Sequence, residues 1–118
     1  MGLFNVEVEV LPANGGSPRA CRVLVDTGAS YLSLPRSLLV SLGYQAIDRQ
    51  PVAFATGEKA IWEVAEIRVR LEGRERTVLA FLAPDASPTL LGAQTLETFG
   101  LGVDPLAKRL VPVDAFLA

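Results

Sequence analysis

The segment of this 118-residue chain best suited to chemistry is Asp26-Thr27-Gly28-Ala29-Ser30. The apolar run Val23-Leu24-Val25 leads into it. Strands favour Val and disfavour Asp, so Asp26 marks the end of that strand. Thr27 brings a hydroxyl that can lock a turn. Gly28 has no Cβ and lets another backbone come close, and Ala29 and Ser30 keep the segment small. A carboxylate delivered in this way either anchors a structural Asx turn or is a reactive group. The rest of the composition narrows the reactive options. The chain has no histidine, which removes Ser-His-Asp and Cys-His nucleophilic sites and every histidine-containing metal site. A single cysteine, Cys21, removes thiolate zinc sites as well. Carboxylate chemistry, a lysine base (Lys59 or Lys108) or a carboxylate-held metal remains.

The elements that must hold this segment follow from the hydrophobic pattern. The residues at 4–11 alternate, with Val6, Val8 and Val10 on one face and Glu7 and Glu9 on the other, which predicts a half-buried strand. A Gly- and Pro-rich turn at 12–18 returns the chain as a second strand over 19–25, making a hairpin that ends at Asp26. The Glu pair reads as a solvated strand face rather than a metal site. A short strand at 31–34 leads to a helix over 35–42, with Pro35 in its first turn and Gly43 as its stop. Residues 51–56 are extended, 56–59 form a tight turn, and a long strand follows over 60–71. A turn at 72–74 leads into a strand over 76–83, apolar on both faces and so central. The arginines 68, 70, 74 and 76 alternate with Glu66, Glu72 and Glu75, which predicts a solvated hairpin and not a nucleic-acid surface. A brief strand at 89–91, a helix over 93–99 closed by Gly100, and two last strands at 101–104 and 109–113 complete the chain.

Composition sets the outer bounds. Half of the residues are hydrophobic and the formal charge is −2, so neither disorder nor a polyanionic partner is expected. The length fits one domain, residues 1–118. No membrane span or basic-then-apolar leader is read, and no cofactor or metal is called for. Cys21 cannot form an internal disulfide, reads as a small strand-face residue, and fits a reducing compartment. A soluble, cytoplasmic protein is the expectation.

The order of events in the first half returns in the second: hairpin, loop, short apolar strand, Gly-terminated helix. This predicts an all-β protein with one or two short helices and internal pseudo-twofold symmetry. The same order resembles a subunit of the retropepsin-like aspartic proteases, and the resemblance covers most of the chain. Asp26-Thr27-Gly28-Ala29-Ser30 is similar to their active-site loop. The hairpin around Gly57 sits where the family has its flap. Leu90-Leu91-Gly92, followed by Leu96, Phe99 and Gly100, is similar to their second signature. Leu34-Pro35 and Gly100-Leu101-Gly102-Val103-Asp104-Pro105 resemble bacterial members. Viral members often pair an Asp just after the loop's small residue with an Arg after the second-signature Gly. Here Ser30 and Ala93 stand at those positions, so both partners are missing together and no buried charge is orphaned.

The resemblance implies a closed acid-protease barrel and an aspartic endopeptidase that takes extended polypeptide. Aspartic proteases are the known case of two carboxylates about 3 Å apart sharing one proton. This chain has one such loop, so the second carboxylate must come from another copy, which implies a C2 homodimer with Asp26 from each subunit. The resemblance also assigns roles. Thr27 braces the two loops through its hydroxyl, and Gly28 meets the substrate backbone at close range. Ala29, Ser30 and Phe54 contribute to substrate binding, and the Thr56-Gly57-Glu58 turn is the flap. The apolar residues Leu3, Phe4, Val111, Val113, Phe116 and Leu117 are expected to contribute to the dimer interface. Phe54 and Trp62 read equally well as pocket lining and as core. Two other readings compete with the enzyme: a barrel kept as a binding or assembly module, and an unrelated small barrel with a chance Asp-Thr-Gly turn.

Overall fold

A computed structural model describes residues 2–115 and Leu117. The element order is β1(Gly2–Leu11), β2(Arg19–Asp26), β3(Leu32–Pro35), α1(Arg36–Ser41), β4(Asp48–Ala53), β5(Lys59–Leu71), β6(Arg74–Ala83), β7(Leu90–Leu91), α2(Ala93–Phe99), β8(Leu101–Asp104) and β9(Arg109–Pro112). The protein is mostly β with two short helices.

Side-chain alternation sets the faces. Val8 and Val10 of β1 are fully buried while Glu7 is exposed, and Val23 and Val25 of β2 meet them from the antiparallel partner strand. Ile67, Val69 and Leu71 of β5 turn inward and Glu66 and Arg68 outward. β5 is long enough for two neighbours on one side. Its first half pairs with β4, and its second half pairs with β1 at Glu9↔Arg70, Val10↔Val69 and Leu11↔Arg68. The large sheet runs β1-β2-β7-β3-β6-β5-β4, and the β1–β5 pairing brings that order back to its start.

Two pairings join distant parts of the chain. β2 runs parallel to β7, with Leu24 opposite Leu90 and Val25 opposite Leu91. β3 runs parallel to β6, from Leu32↔Ala80 to Pro35↔Ala83. Each half of the chain therefore lends its short strand to the hairpin of the other half. β3 and β7 touch each other antiparallel at Ser33↔Leu90. β6 lies between β3 and β5, as a strand apolar on both faces should.

Several boundaries differ from the sequence expectation. β4 starts at Asp48 rather than at residue 51. Pro51 does not interrupt it because, among the described residues, β4 pairs only with β5, and an edge strand tolerates a missing N–H. Pro35 is not in the first turn of α1. It precedes the helix with extended backbone (φ −58°, ψ 132°) and ends β3. The turn between β5 and β6 holds Glu72 and Gly73, both at positive φ (51° and 76°), the backbone of a two-residue hairpin that matches the strand twist.

The core combines Val8, Val10, Val23, Val25, Ile67 and Val69 from the strands with Leu39 of α1 and Leu96 and Phe99 of α2. Gly100 ends α2 in the left-handed region (φ 64°), the usual helix stop. β8 and β9 form a separate two-stranded sheet. Val113 beyond it donates its N–H to the Gly100 carbonyl at 2.9 Å. Its side chain fills the space that a Cβ on Gly102 would occupy, 2.7 Å from such an atom. Among the terminal apolar residues, Phe4 packs on the core, while Val113 and Leu117 are exposed; Phe116 lies outside the described residues. On the β5–β6 hairpin, Arg68 pairs with Glu75 at 3.0 Å, and Arg70 reaches both Glu75 (3.5 Å) and Glu9 (3.4 Å).

Candidate active site

Asp26 is the last residue of β2 and is half-buried. Its Oδ1 accepts the Gly28 N–H at 3.0 Å, and its carbonyl accepts the Ala29 N–H at 3.1 Å. The segment is therefore an Asx turn, the tight local arrangement that Asp side chains stabilise. That turn is also what fixes the carboxylate in place. Thr27, Gly28 and Ser30 are exposed, and Ala29 is half-buried.

The segment around Gly92 holds this loop from behind. Leu24 of β2 donates to the Thr89 carbonyl at 2.9 Å, and the Thr89 hydroxyl donates to the Arg22 carbonyl at 2.8 Å. The first two N–H groups of α2 then turn onto the loop: Ala93 donates to the Ala29 carbonyl at 2.8 Å and Gln94 to the Ser30 carbonyl at 2.9 Å. Contact is so close that a Cβ at Gly92 would stand 2.6 Å from both the Ala29 and Tyr31 carbonyl oxygens. Only glycine fits. Ser30 and Ala93 lie in segments joined by these backbone hydrogen bonds.

In front of the loop is a cavity of about 410 Å³. Gly28, Ala29 and Ser30 form one wall, and Ser87 and Pro88 from the β6–β7 loop border it. The other wall is aromatic. Tyr31 lies against Phe81 with ring centroids 5.0 Å apart, Phe81 meets Trp62 edge-on at 5.8 Å, and Trp62 meets Phe54 edge-on at 5.5 Å. The Tyr31 hydroxyl donates to Gln50 Oε1 on β4 at 3.1 Å. Such a space, apolar with a few polar groups, is the usual form of a binding site.

The β4–β5 turn closes with Phe54 N–H to the Glu58 carbonyl and Gly57 N–H to the Phe54 carbonyl, both at 2.9 Å. Gly57 sits at φ 91°. The Thr56 hydroxyl donates to Glu58 Oε1 at 3.3 Å. Phe54, Thr56, Gly57 and Glu58 are all exposed, and of these Phe54 lines the cavity. The sequence reading did not single out Tyr31, Gln50 and Phe81. Tyr31 directly follows the loop and was legible by position. Gln50 fell just outside the expected strand, and Phe81 looked like the interior of a central strand.

Asp85 and Cys21 titrate away from their ordinary values. The Asp85 carboxylate accepts hydrogen bonds from the Ser37 hydroxyl and from the Ser37 N–H (3.1 Å), which hold its pKa down. Partial burial pushes the Cys21 thiol up against a smaller opposing pull from Arg19. Cys21 is thus a protonated strand residue rather than an activated nucleophile.

Against known proteins, the family model for aspartyl proteases matches residues 6–104. That span contains the Asp26 loop, the β4–β5 hairpin and the Gly92 segment. The chain belongs to the aspartyl protease family. No curated protein matches it closely enough to be reported as a relative. Among the described residues, no helix is long and apolar enough to cross a membrane.

Proposed function

We propose that the protein is a homodimeric aspartic endopeptidase of the retropepsin-like type, acting as a single domain on extended polypeptide. Asp26 of one subunit removes a proton from water as the water oxygen adds to the peptide carbonyl carbon. The other Asp26 gives its proton to the carbonyl oxygen. Thr27 braces one loop against the other, and Gly28 receives the substrate backbone. Ala29, Ser30 and Phe54 form the walls against substrate side chains. Thr56, Gly57 and Glu58 close over the substrate and exclude water. In this reading the returning pairing order is a closed barrel, and the exchange of β3 and β7 between halves marks its internal pseudo-twofold axis.

The observation that carries the proposal is the pairing of two segments distant in sequence. The Asp26 loop is held by hydrogen bonds from the start of α2, at the edge of an aromatic-walled cavity. Family membership supports the reading, and a single Asp-Thr-Gly per chain makes it a dimer. The test compares wild type with Asp26→Asn on an unfolded protein from acid to neutral pH. Wild type should cleave, a statine-type transition-state mimic should stop it, and the variant should be folded and inert. Equal behaviour of the two proteins would remove the proposal and leave a binding module.

A further inference from the structure

Tyr31 connects three things that the fold otherwise keeps apart. Its backbone directly follows the Asp26 loop, where its carbonyl lies against Gly92. Its ring packs on Phe81, and so reaches Trp62 and Phe54 at the base of the β4–β5 hairpin. Its hydroxyl donates to Gln50 on β4, the strand that rises to the hairpin tip. Apart from β5, β4 has no strand partner among the described residues. Among the described residues, the hairpin tip is hydrogen-bonded only within itself, through Phe54, Thr56, Gly57 and Glu58. An edge strand with one neighbour takes its position from whatever side-chain contacts reach it across the cavity. Here the Tyr31–Gln50 hydrogen bond spans the cavity wall and ties the hairpin stem to the loop.

We infer that Tyr31 is a positioning residue. Through Gln50 it latches the β4–β5 hairpin to the Asp26 loop and so sets how far the cavity stands open. The ring does the packing and the hydroxyl does the latching, so the two functions separate in Tyr31→Phe. The kinetic consequence rests on the protease reading, but the latch itself does not. Breaking it makes the open hairpin more populated by roughly two- to tenfold, the equilibrium weight of one net hydrogen bond.

The chain carries one tryptophan, and Trp62 lies between Phe54 and Phe81 at the hairpin base, so it reports hairpin opening. Wild type, Tyr31→Phe, Gln50→Leu, Gln50→Glu and the double variant Tyr31→Phe/Gln50→Leu are compared by acrylamide quenching of Trp62 and by amide exchange at residues 54–58. The hydroxyl-free and Leu variants should show faster quenching and exchange. Gln50→Glu, which keeps an acceptor for the hydroxyl, should behave as wild type, and the double variant should be no worse than either single one. On a peptide substrate, the latch-broken variants should raise KM by a similar factor. Should Tyr31→Phe alter the far-UV spectrum, the Gln50→Leu and Gln50→Glu pair makes the same comparison. Unchanged quenching and exchange in folded latch-broken variants would overturn the inference. A wild type that cleaves nothing would instead overturn the protease reading, and the Trp62 arm would still decide the latch.

Discussion

Gly92 and Thr95, both in the segment behind the loop, carry opposite kinds of constraint. Gly92 is required by space. A methyl group there meets two carbonyl oxygens at 2.6 Å, and that of Ala29 cannot yield without releasing the Ala93 hydrogen bond that holds the loop. Gly92→Ala should cost about 1–3 kcal/mol, the usual penalty of overpacking a rigid site; an unchanged denaturation midpoint would show that the loop can shift freely. Thr95 is fully buried, and its hydroxyl makes no hydrogen bond. Valine has nearly the same shape without the unpaired polar atom. Thr95→Val should therefore stabilise the fold by about 1 kcal/mol, read as a higher urea midpoint. A lower midpoint would mean that the hydroxyl finds a partner in solution. Of these two positions, Gly92 was legible in the sequence only as part of the Leu90-Leu91-Gly92 resemblance, and its steric reason came from the structure. Thr95 was not, since nothing in a linear pattern tells whether a helix hydroxyl is satisfied.

At the scale of elements, the cavity is assembled from pieces that the sequence placed well but connected poorly. Strand faces followed from alternation: Glu7 and Glu9 against Val8 and Val10, Glu66 and Arg68 against Ile67 and Val69. The hairpins followed from their turns. What alternation does not encode is which strand inserts beside which. The parallel pairings of β2 with β7 and β3 with β6 rest on very short strands, four and two residues for β3 and β7, and these carry almost no periodicity. The β6–β7 loop at the cavity edge shows a similar dependence on distant contacts. Its Asp85 is tied to the start of α1 through Ser37, and those hydrogen bonds favour the charged carboxylate. A carboxyl whose pKa is lowered by folding contributes stability above its unfolded pKa and loses it as pH falls through the folded one. Acidification below the ordinary carboxylate range should therefore loosen residues 84–88 in wild type. Asp85→Asn should remove that step. Amide exchange of the Ser37 N–H across the acid range reads it directly, and a profile identical in both proteins would contradict it.

At the scale of the molecule, the central question is whether one chain suffices. Within a single chain, the loop that carries Asp26 borders the cavity through Gly28, Ala29 and Ser30. The exposed Val113 and Leu117 beyond β9 fit an interface between copies, so removal of residues 114–118 should move the sedimentation coefficient toward that of a monomer. An unchanged dimer would take the terminal segment out of the interface. The aspartyl protease family was legible because Asp26-Thr27-Gly28, the hairpin around Gly57 and Leu90-Leu91-Gly92 stand in the order that the family shows. The aromatic wall was legible only in part: Phe54 and Trp62 read as pocket lining or core alike, while Phe81 belongs to a strand whose sequence looks like plain core.

The most direct test mixes wild type with Asp26→Asn at constant total concentration, after subunit exchange, and measures peptide cleavage. If each working site needs an Asp26 from both subunits, activity follows the square of the wild-type fraction and an equal mixture retains about a quarter of the rate. A linear decline, with about half the rate left at equal mixing, would mean that one chain carries out the reaction alone.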